Sequence, residues 1–274
     1  MYNKKIIDAH LHFRPDMEGF TRLAEAAGHK NEESHLKETY KELGIVCGIV
    51  MGNSTVDSQD CSYPEFMRYC VGIDSGCLRE MELVNAIAGI EEHLKRPECV
   101  GIKLYPGYTH YYITDQVYDP VYELAEKYNK PVAVHMGETT TKGALLKYTH
   151  PMTLDEAATK HPGVQFVMCH FGNPWLTDAA AVISKNANVA ADISGLLEGR
   201  FELEVLKEEK KGYIEALKTW MGYLHEYDDI MFGTDWPLVN LEEYIRFVED
   251  IVPEKYHEKV FFENANRIYK LNLE

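Results

Sequence analysis

The stretch that decides the fold is residues 6–12, which read IIDAHLH. Two β-branched isoleucines in a row predict a buried strand. His10 and His12 occupy alternate positions, so their side chains leave that strand on the same side. Two adjacent imidazoles at the end of a strand can bind one metal ion, although the pair by itself fits hydrogen-bonded structural histidines equally well. The other strand ends decide between these two roles.

Strand-like apolar runs recur along the whole chain, which has 274 residues. Most of them are continuous rather than alternating, as expected for parallel strands that are covered on both faces. We predict strands at residues 6–12, 45–51, 69–73, 100–105, 131–136, 165–170, 189–194 and 230–234.

Helical patterns lie between these runs. Ser34 is a predicted N-cap for a helix that Gly44 ends, and Asn240 begins a capping-box pattern for a helix that stops before Pro253. A further capping box begins at Thr153. We also predict helices at residues 78–95, 120–129, 175–185, 212–227 and 256–270. The charge-rich residues 198–211 predict a solvated loop or helix, or a segment that covers the functional face.

This alternation of strand and helix indicates a parallel sheet with right-handed crossovers. Eight such units in 274 residues favour an α/β fold of the closed (β/α)8 barrel type. A doubly wound open sheet is the alternative. Since no linker or composition break divides the chain, we predict one domain over residues 1–274.

Composition excludes some classes of partner. The formal net charge is −16, which disfavours nucleic acid and anionic membrane surfaces. The six cysteines form no CxxC pair, so buried free thiols fit better than disulfides or a zinc–thiolate site. With no signal-peptide pattern and no apolar run of membrane-spanning length, the sequence predicts a cytoplasmic protein.

In a barrel of this kind the functional site lies at the C-terminal ends of the strands. Four histidines and an aspartate on that face suit a divalent ion such as Zn²⁺, and an open position for water would make the site catalytic. The ion would acidify that water, and Asp235 would accept its proton. The polar residues at the predicted strand ends are His10, His12, Lys103, Tyr105, His135, His170, Asp192 and Asp235.

A second group of residues is placed to bind a substrate. Its cations suit a carboxylate, and its aromatic rings suit the wall of a pocket. Each has an ordinary alternative, as a solvated surface charge or as packing. A carboxylated Lys103 would instead bridge two metal ions. We predict substrate-binding roles for Lys103, Tyr105, Arg14, Glu138, Trp175 and Arg200.

Six short motifs together resemble the amidohydrolase superfamily, and most closely its amidohydrolase-2 branch, which includes aminocarboxymuconate-semialdehyde decarboxylase and related enzymes. The resemblance spans nearly the whole chain. The motifs are DAHLH at 8–12, GIKL at 101–104, VHMG at 134–137, CHFG at 169–172, FGTDWP at 232–237 and ENANR at 263–267.

The resemblance implies a distorted TIM barrel with His10, His12, His135 and Asp235 as metal ligands. It implies that His170 is a catalytic acid or base beside the metal. Binuclear members carry a carboxylated lysine on the fourth strand, where this chain has Lys103, so a second metal stays open; we favour one. Some lactonases of the branch work without metal.

Three functions follow as hypotheses. The leading one is a metal-dependent hydrolase of a small carbonyl, amide or ester substrate, in which Asp235 and His170 carry out the proton transfers. The second is a non-oxidative decarboxylase, which Arg14 or Arg200 facing the metal would favour. The third is a barrel that binds a ligand without turnover. The expected partners are a small molecule and, for a homodimer, a second copy of the chain.

Overall fold

The computed structural model describes residues 2–52, 56, 62–73 and 80–274, without the side chains of 80–83. Among these residues eight parallel strands form one sheet in chain order, each paired with the next. The predicted (β/α)8 barrel is therefore confirmed. The strands are β1 (Ile6–Leu11), β2 (Ile45–Met51), β3 (Met67–Ile73), β4 (Cys99–Leu104), β5 (Val132–Val134), β6 (Phe166–Met168), β7 (Val189–Asp192) and β8 (Ile230–Met231).

The barrel closes between β1 and the segment that follows β8. Ala9 N donates to Phe232 O at 3.0 Å, and Asp235 N donates to His10 O at 2.8 Å. The buried carboxylate of Asp8 reinforces this seam, because it accepts hydrogen bonds from the Thr234 backbone N–H, the Thr234 hydroxyl and the Tyr40 hydroxyl. The seam therefore fixes the position of Asp235 relative to His10.

Helices cover the outside of the sheet, mostly where the sequence predicts them. The helix between residues 18 and 26 was not predicted, and it follows β1 on the functional face. The helices are α1 (Glu18–Ala26), α2 (Glu33–Leu43), α3 (Glu80–Leu94), α4 (Asp119–Tyr128), α5 (Pro151–Lys160), α6 (Leu176–Lys185), α7 (Leu203–Glu209), α8 (Lys211–Gly222), α9 (Leu241–Ile251) and α10 (Asn264–Ile268).

Two predicted helix ends are confirmed. Gly44 ends α2 in the left-handed conformation, with φ 76°, which glycine adopts without a steric penalty. The Asn240 side chain accepts from Glu243 N at the start of α9. Ser34, by contrast, lies inside α2, which begins at Glu33 without a side-chain cap.

Two other predicted ends are wrong. Helix α5 begins at Pro151 rather than at the Thr153 capping box, and the His150 side chain caps it by accepting from Met152 N. Proline favours the first helical turn, where no N–H partner is needed. Helix α8 ends at Gly222 rather than at residue 227, because His225 has φ 61° and Tyr227 has φ 54°, and neither continues a right-handed helix.

Most of the core lies between the strands and the helices, and a second cluster fills the barrel interior with small side chains such as Ala9, Ala133 and Ala190. Cys47, Cys70, Cys99 and Cys169 are buried and free, as predicted; Cys61 and Cys77 lie outside the described residues. Within the described part of the chain, no helix has both the length and the apolar character that crossing a membrane requires.

Candidate metal centre

The predicted site residues meet at one end of the barrel, mostly just beyond the strand ends. His12 directly follows β1 and His135 directly follows β5. The sixth strand stops at Met168, and His170 lies in a tight turn with φ 60° rather than in the predicted strand 165–170. Asp235, with φ 58°, follows β8. Parallel neighbouring strands bring these turns to the same edge of the sheet.

Three side-chain atoms face one another in a geometry that fits a divalent ion. Asp235 Oδ1 lies 3.3 Å from His12 Nε2 and 3.6 Å from His10 Nε2. Ligand atoms about 2.1 Å from a tetrahedral ion lie roughly 3.4 Å apart. Both Asp235 Oδ1 and His10 Nε2 are buried and make no hydrogen bond to the described residues. Since buried polar atoms are normally satisfied, these atoms fit a metal ion.

The opposite ring nitrogens hold both imidazoles in the form that a ligand needs. His10 Nδ1 lies 2.9 Å from Asp192 Oδ2, and His12 Nδ1 lies 3.0 Å from the Met51 carbonyl oxygen. Each Nδ1–H therefore donates, and each Nε2 keeps its lone pair for the ion. Burial lowers the pKa of His10 to about 4 and that of His12 to about 3, which keeps both rings neutral.

His135 and His170 face each other instead of the three ligand atoms. His170 Nε2 lies 3.2 Å from His135 Nδ1. The outer nitrogens contact carbonyl oxygens, His170 Nδ1 that of Ser194 at 3.1 Å and His135 Nε2 that of Glu138 at 3.0 Å. Three such hydrogen bonds need three N–H protons, one more than two neutral imidazoles carry. Burial lowers the pKa of both rings, so the pair would give up an added proton readily. That His135 is also a metal ligand stays a prediction.

Lys103 and Asp192 lie beneath these histidines, inside the barrel. The fully buried Lys103 Nζ donates to Cys169 Sγ at 2.8 Å, and among the described residues no carboxylate pairs with it within 4.0 Å. Burial raises the pKa of Asp192, but His10 and His170 together lower it by more, so the net shift is downward. For Asp235 burial dominates the opposing effect of Lys103 and raises the pKa to about 7.

Two tyrosines stand beside the histidine pair. The Tyr105 hydroxyl donates to the Gly52 carbonyl at 2.7 Å, and the Tyr108 ring lies 5.1 Å from that of His135, measured between centroids. Tyr108 in turn contacts Tyr105. Since Tyr108 lies against His135 and Tyr105 lies against Tyr108, the two rings are placed to form one wall of the site.

The other predicted substrate-binding side chains are engaged elsewhere. Arg14 pairs with Asp16, and Arg200 pairs with Glu243. The Glu138 side chain is exposed, and it is the backbone carbonyl of this residue that contacts His135. The substrate-binding roles of these residues stay predictions.

The two tryptophans of the functional face pack against histidines. Trp175 precedes α6 and packs against His150, with 4.8 Å between ring centroids. Trp236 is fully buried and packs against His29 at 5.1 Å. Its burial removes Trp236 from any pocket wall, and the predicted substrate-binding role of Trp175 is not tested by this contact.

Sequence reasoning assigned no role to two residues of the site. Asp192 is recognisable as the polar end of the seventh strand, yet its function depends on His10, which is distant in the chain. Ser194 gives no signal of its own, although its hydroxyl lies 3.0 Å from His170 Nδ1. The DIS sequence at 192–194 is the only local sign that a polar turn follows that strand.

A model of the amidohydrolase-2 family, described as Amidohydrolase, matches residues 7–271. An uncharacterised TIM-barrel protein from Bordetella bronchiseptica superposes with a TM-score of 0.72 at 20% identity, covering 97% of this chain and 99% of that chain. A 2,6-dihydroxybenzoate decarboxylase from Rhizobium superposes with a TM-score of 0.69 at 14% identity, covering 99% of this chain and 100% of that chain. An amidohydrolase with bound zinc from Burkholderia multivorans superposes with a TM-score of 0.66 at 13% identity, covering 97% of this chain and 99% of that chain. No protein of curated function matches significantly.

Proposed function

The chain belongs to the amidohydrolase family, and we propose that it is a metal-dependent hydrolase of a small carbonyl, amide or ester substrate. One observation supports this most strongly. His10 Nε2, His12 Nε2 and Asp235 Oδ1 face one another, and two of them are buried without a hydrogen-bond partner in the described structure. A histidine pair joined by a hydrogen bond lies beside them. The combination provides a metal site and a proton-transfer pair together.

The environment of Lys103 supports one metal ion rather than two. A second ion would require a carboxylated Lys103, which would place a bulky carbamate at a fully buried position. Since Lys103 Nζ contacts Cys169 Sγ, we propose the free amine and one ion, most simply zinc.

The roles of the side chains follow from their positions. When bound, a divalent ion acts as a Lewis acid and lowers the pKa of water that it binds. His10 and His12 present their Nε2 lone pairs, and Asp235 is partly exposed at the mouth, where its carboxylate can accept a proton from water. His170 holds a proton between His135 and Ser194 and can donate it to the leaving group or to a developing oxyanion.

A decarboxylase is the second candidate, and one observation favours it. Lys103 is a buried cation next to the site without a carboxylate partner in the described residues, and a departing carboxylate needs a cation. Arg14 and Arg200 do not favour this reaction, because each is paired with an acidic side chain at the surface. The similarity of this chain to the Rhizobium decarboxylase fits this alternative. The similarity to the zinc-containing amidohydrolase fits hydrolysis equally well.

One experiment separates the two reactions. The zinc-loaded protein is incubated in water labelled with heavy oxygen, with a panel of lactones, esters and amides and a panel of unsaturated and aromatic carboxylic acids. Hydrolysis predicts label in the product carboxylate and no carbon dioxide. Release of carbon dioxide, with no heavy oxygen incorporated into the organic product, would establish the lyase and refute the hydrolase. The His10→Ala, His12→Ala double variant is the control for contaminating activity.

A further inference from the structure

We propose that Asp192 is a positioning residue that holds the metal ligand His10 and the proton-transfer residue His170 through its two carboxylate oxygens. The inference rests on the proposed function, since it assigns these roles to the two histidines. It adds a residue that touches neither substrate nor metal. Asp192 is fully buried at the end of β7, which pairs with β6 and β8; His170 lies in the turn after β6, and His10 lies in β1.

One carboxylate oxygen serves the metal ligand. Asp192 Oδ2 lies 2.9 Å from His10 Nδ1, and the side chains of these two residues are almost completely buried. A carboxylate can only accept here, so the proton stays on Nδ1 and the lone pair of Nε2 points away, towards His12 and Asp235. The contact also increases the electron density on the ring, which strengthens its bond to a cation.

The other oxygen serves the proton-transfer residue. Asp192 Oδ1 accepts from the His170 backbone N–H at 3.0 Å, which holds the left-handed turn at that residue. It also accepts from the Ser194 hydroxyl at 2.5 Å and from the Ser194 N–H at 3.2 Å. Because the hydroxyl donates to Asp192, its oxygen is free to accept from His170 Nδ1 at 3.0 Å. This directs His170 Nε2 towards His135.

The carboxylate cannot be replaced by its amide without a mismatch. All the described partners of Asp192 are donors: the His10 ring, the Ser194 hydroxyl, two backbone N–H groups and the Cys169 thiol. An asparagine at 192 would turn two N–H donors towards one of these groups, whichever way the amide is oriented. Ser194→Ala, by contrast, removes the hydroxyl that links Asp192 to the His170 ring, and it keeps the Ser194 carbonyl oxygen and the contact of Asp192 with His10.

The test uses the full-length protein and Zn²⁺ as the probe. Zn²⁺ affinity is measured by competition with a coloured chelator, and the protonated nitrogen of each ring by nitrogen NMR of histidine-labelled protein. We expect Asp192→Asn to weaken Zn²⁺ binding by about 10–100-fold. We expect Ser194→Ala to leave that affinity within about threefold, because it spares His10, but to shift the His170 Nδ1 resonance, because that nitrogen loses one of its two acceptors and keeps the Ser194 carbonyl oxygen.

The matched control is Asp155→Asn. Asp155 also accepts several hydrogen bonds, from Lys185 and Asn186, but lies on α5 away from the site. Asp155→Asn should change neither the Zn²⁺ affinity nor the nitrogen NMR signals of His10 and His170. A wild-type Zn²⁺ affinity in folded Asp192→Asn, or an unchanged His170 Nδ1 resonance in Ser194→Ala, would overturn the proposal. If Asp192→Asn fails to fold, the Ser194→Ala result and the proton position on wild-type His10, expected at Nδ1, still decide it. None of these readings requires turnover, so a failed hydrolase assay is distinguishable from a failed Asp192 role.

Discussion

The site has two halves that use the same side chain in different ways. In the metal half (His10, His12 and Asp235), an acceptor fixes each imidazole at Nδ1 and leaves Nε2 bare, next to a carboxylate oxygen. In the proton half (His135 and His170), the two rings face each other and end on carbonyl oxygens. The first arrangement is suited to a cation, and the second joins two rings through a hydrogen bond. Their partners, rather than the imidazoles themselves, determine the difference.

The largest effect is expected in the metal half. His10→Ala combined with His12→Ala removes two of the three converging atoms, so bound metal should fall from about one equivalent to below about a tenth. Metal analysis of the purified protein, with turnover measured alongside, checks this. If the double variant keeps its metal and its activity, the assignment of the metal half is wrong.

The proton half should lose activity without losing metal. His170→Asn is expected to lower turnover by about 10²–10⁴-fold, the usual contribution of a positioned acid or base, while metal content stays unchanged. Variant His225→Asn, at an exposed left-handed position after α8, is the control and should behave as wild type. Loss of metal from His170→Asn would show that His170 is itself a metal ligand, and the division into two halves would be wrong.

His135 lies on the boundary between the halves, since the sequence predicts a metal ligand and the structure places its Nδ1 against His170. From this geometry we expect His135→Asn to reduce turnover and to weaken Zn²⁺ binding by less than about tenfold. Chelator competition measures the affinity. A loss as complete as that of His10→Ala would move His135 into the metal half.

Gly195 lies close to both halves. It has φ 63°, and a Cβ there would lie 2.9 Å from His170 Nδ1 and 3.0 Å from Asp235 Oδ2. Gly199 has φ 67°, but its nearest neighbour would be 3.7 Å away. Alanine at either position should cost about 1–2 kcal/mol of stability because of the left-handed backbone, whereas only Gly195→Ala should also impair turnover. Equal activities in the two variants would show that the crowding does not reach the site.

The smallest effect concerns the support of the metal half. His29 packs against Trp236, next to Asp235, and its Nε2 accepts from Leu241 N. Burial lowers the pKa of His29 from 6.5 to about 4, so the unfolded chain binds this proton more tightly than the folded one. Its stabilising contribution is present above pH 6.5 and is lost as the pH falls towards 4.

Denaturant unfolding of the metal-free protein at several pH values tests this contribution. Wild type should lose more stability than His29→Gln between pH 6.5 and 4, because the other titrating groups are common to both proteins. Parallel losses in the two proteins would exclude His29 as the source.

The fold and the meeting of the site residues could be predicted from the sequence, because both depend on local patterns. Continuous apolar runs mark parallel strands, and the ends of parallel strands meet at one edge. His10, His12 and Asp235 therefore come together wherever the precise strand ends lie. Several strands proved shorter than predicted, and β8, for example, stops at Met231; β2 has the predicted bounds, and β3 begins two residues earlier than predicted.

The hydrogen-bond partners could not be predicted, because they depend on turns and on residues far apart in the chain. No local pattern shows that His170 adopts a left-handed turn or that Asp192 contacts His10 across 182 positions. Arg14 and Arg200 look like substrate cations in the sequence, yet nearby carboxylates pair with both. Pairing of this kind depends on loop geometry, which propensity does not determine.

Metal analysis of the wild-type protein, purified without chelator, tests the central claim most directly. The geometry of the metal half and the contact of Lys103 with Cys169 predict about one equivalent of a divalent ion per chain, with Lys103 unmodified by mass spectrometry. Less than about half an equivalent would contradict the metal site itself. Two equivalents with a carboxylated Lys103 would contradict the proposal of a single ion.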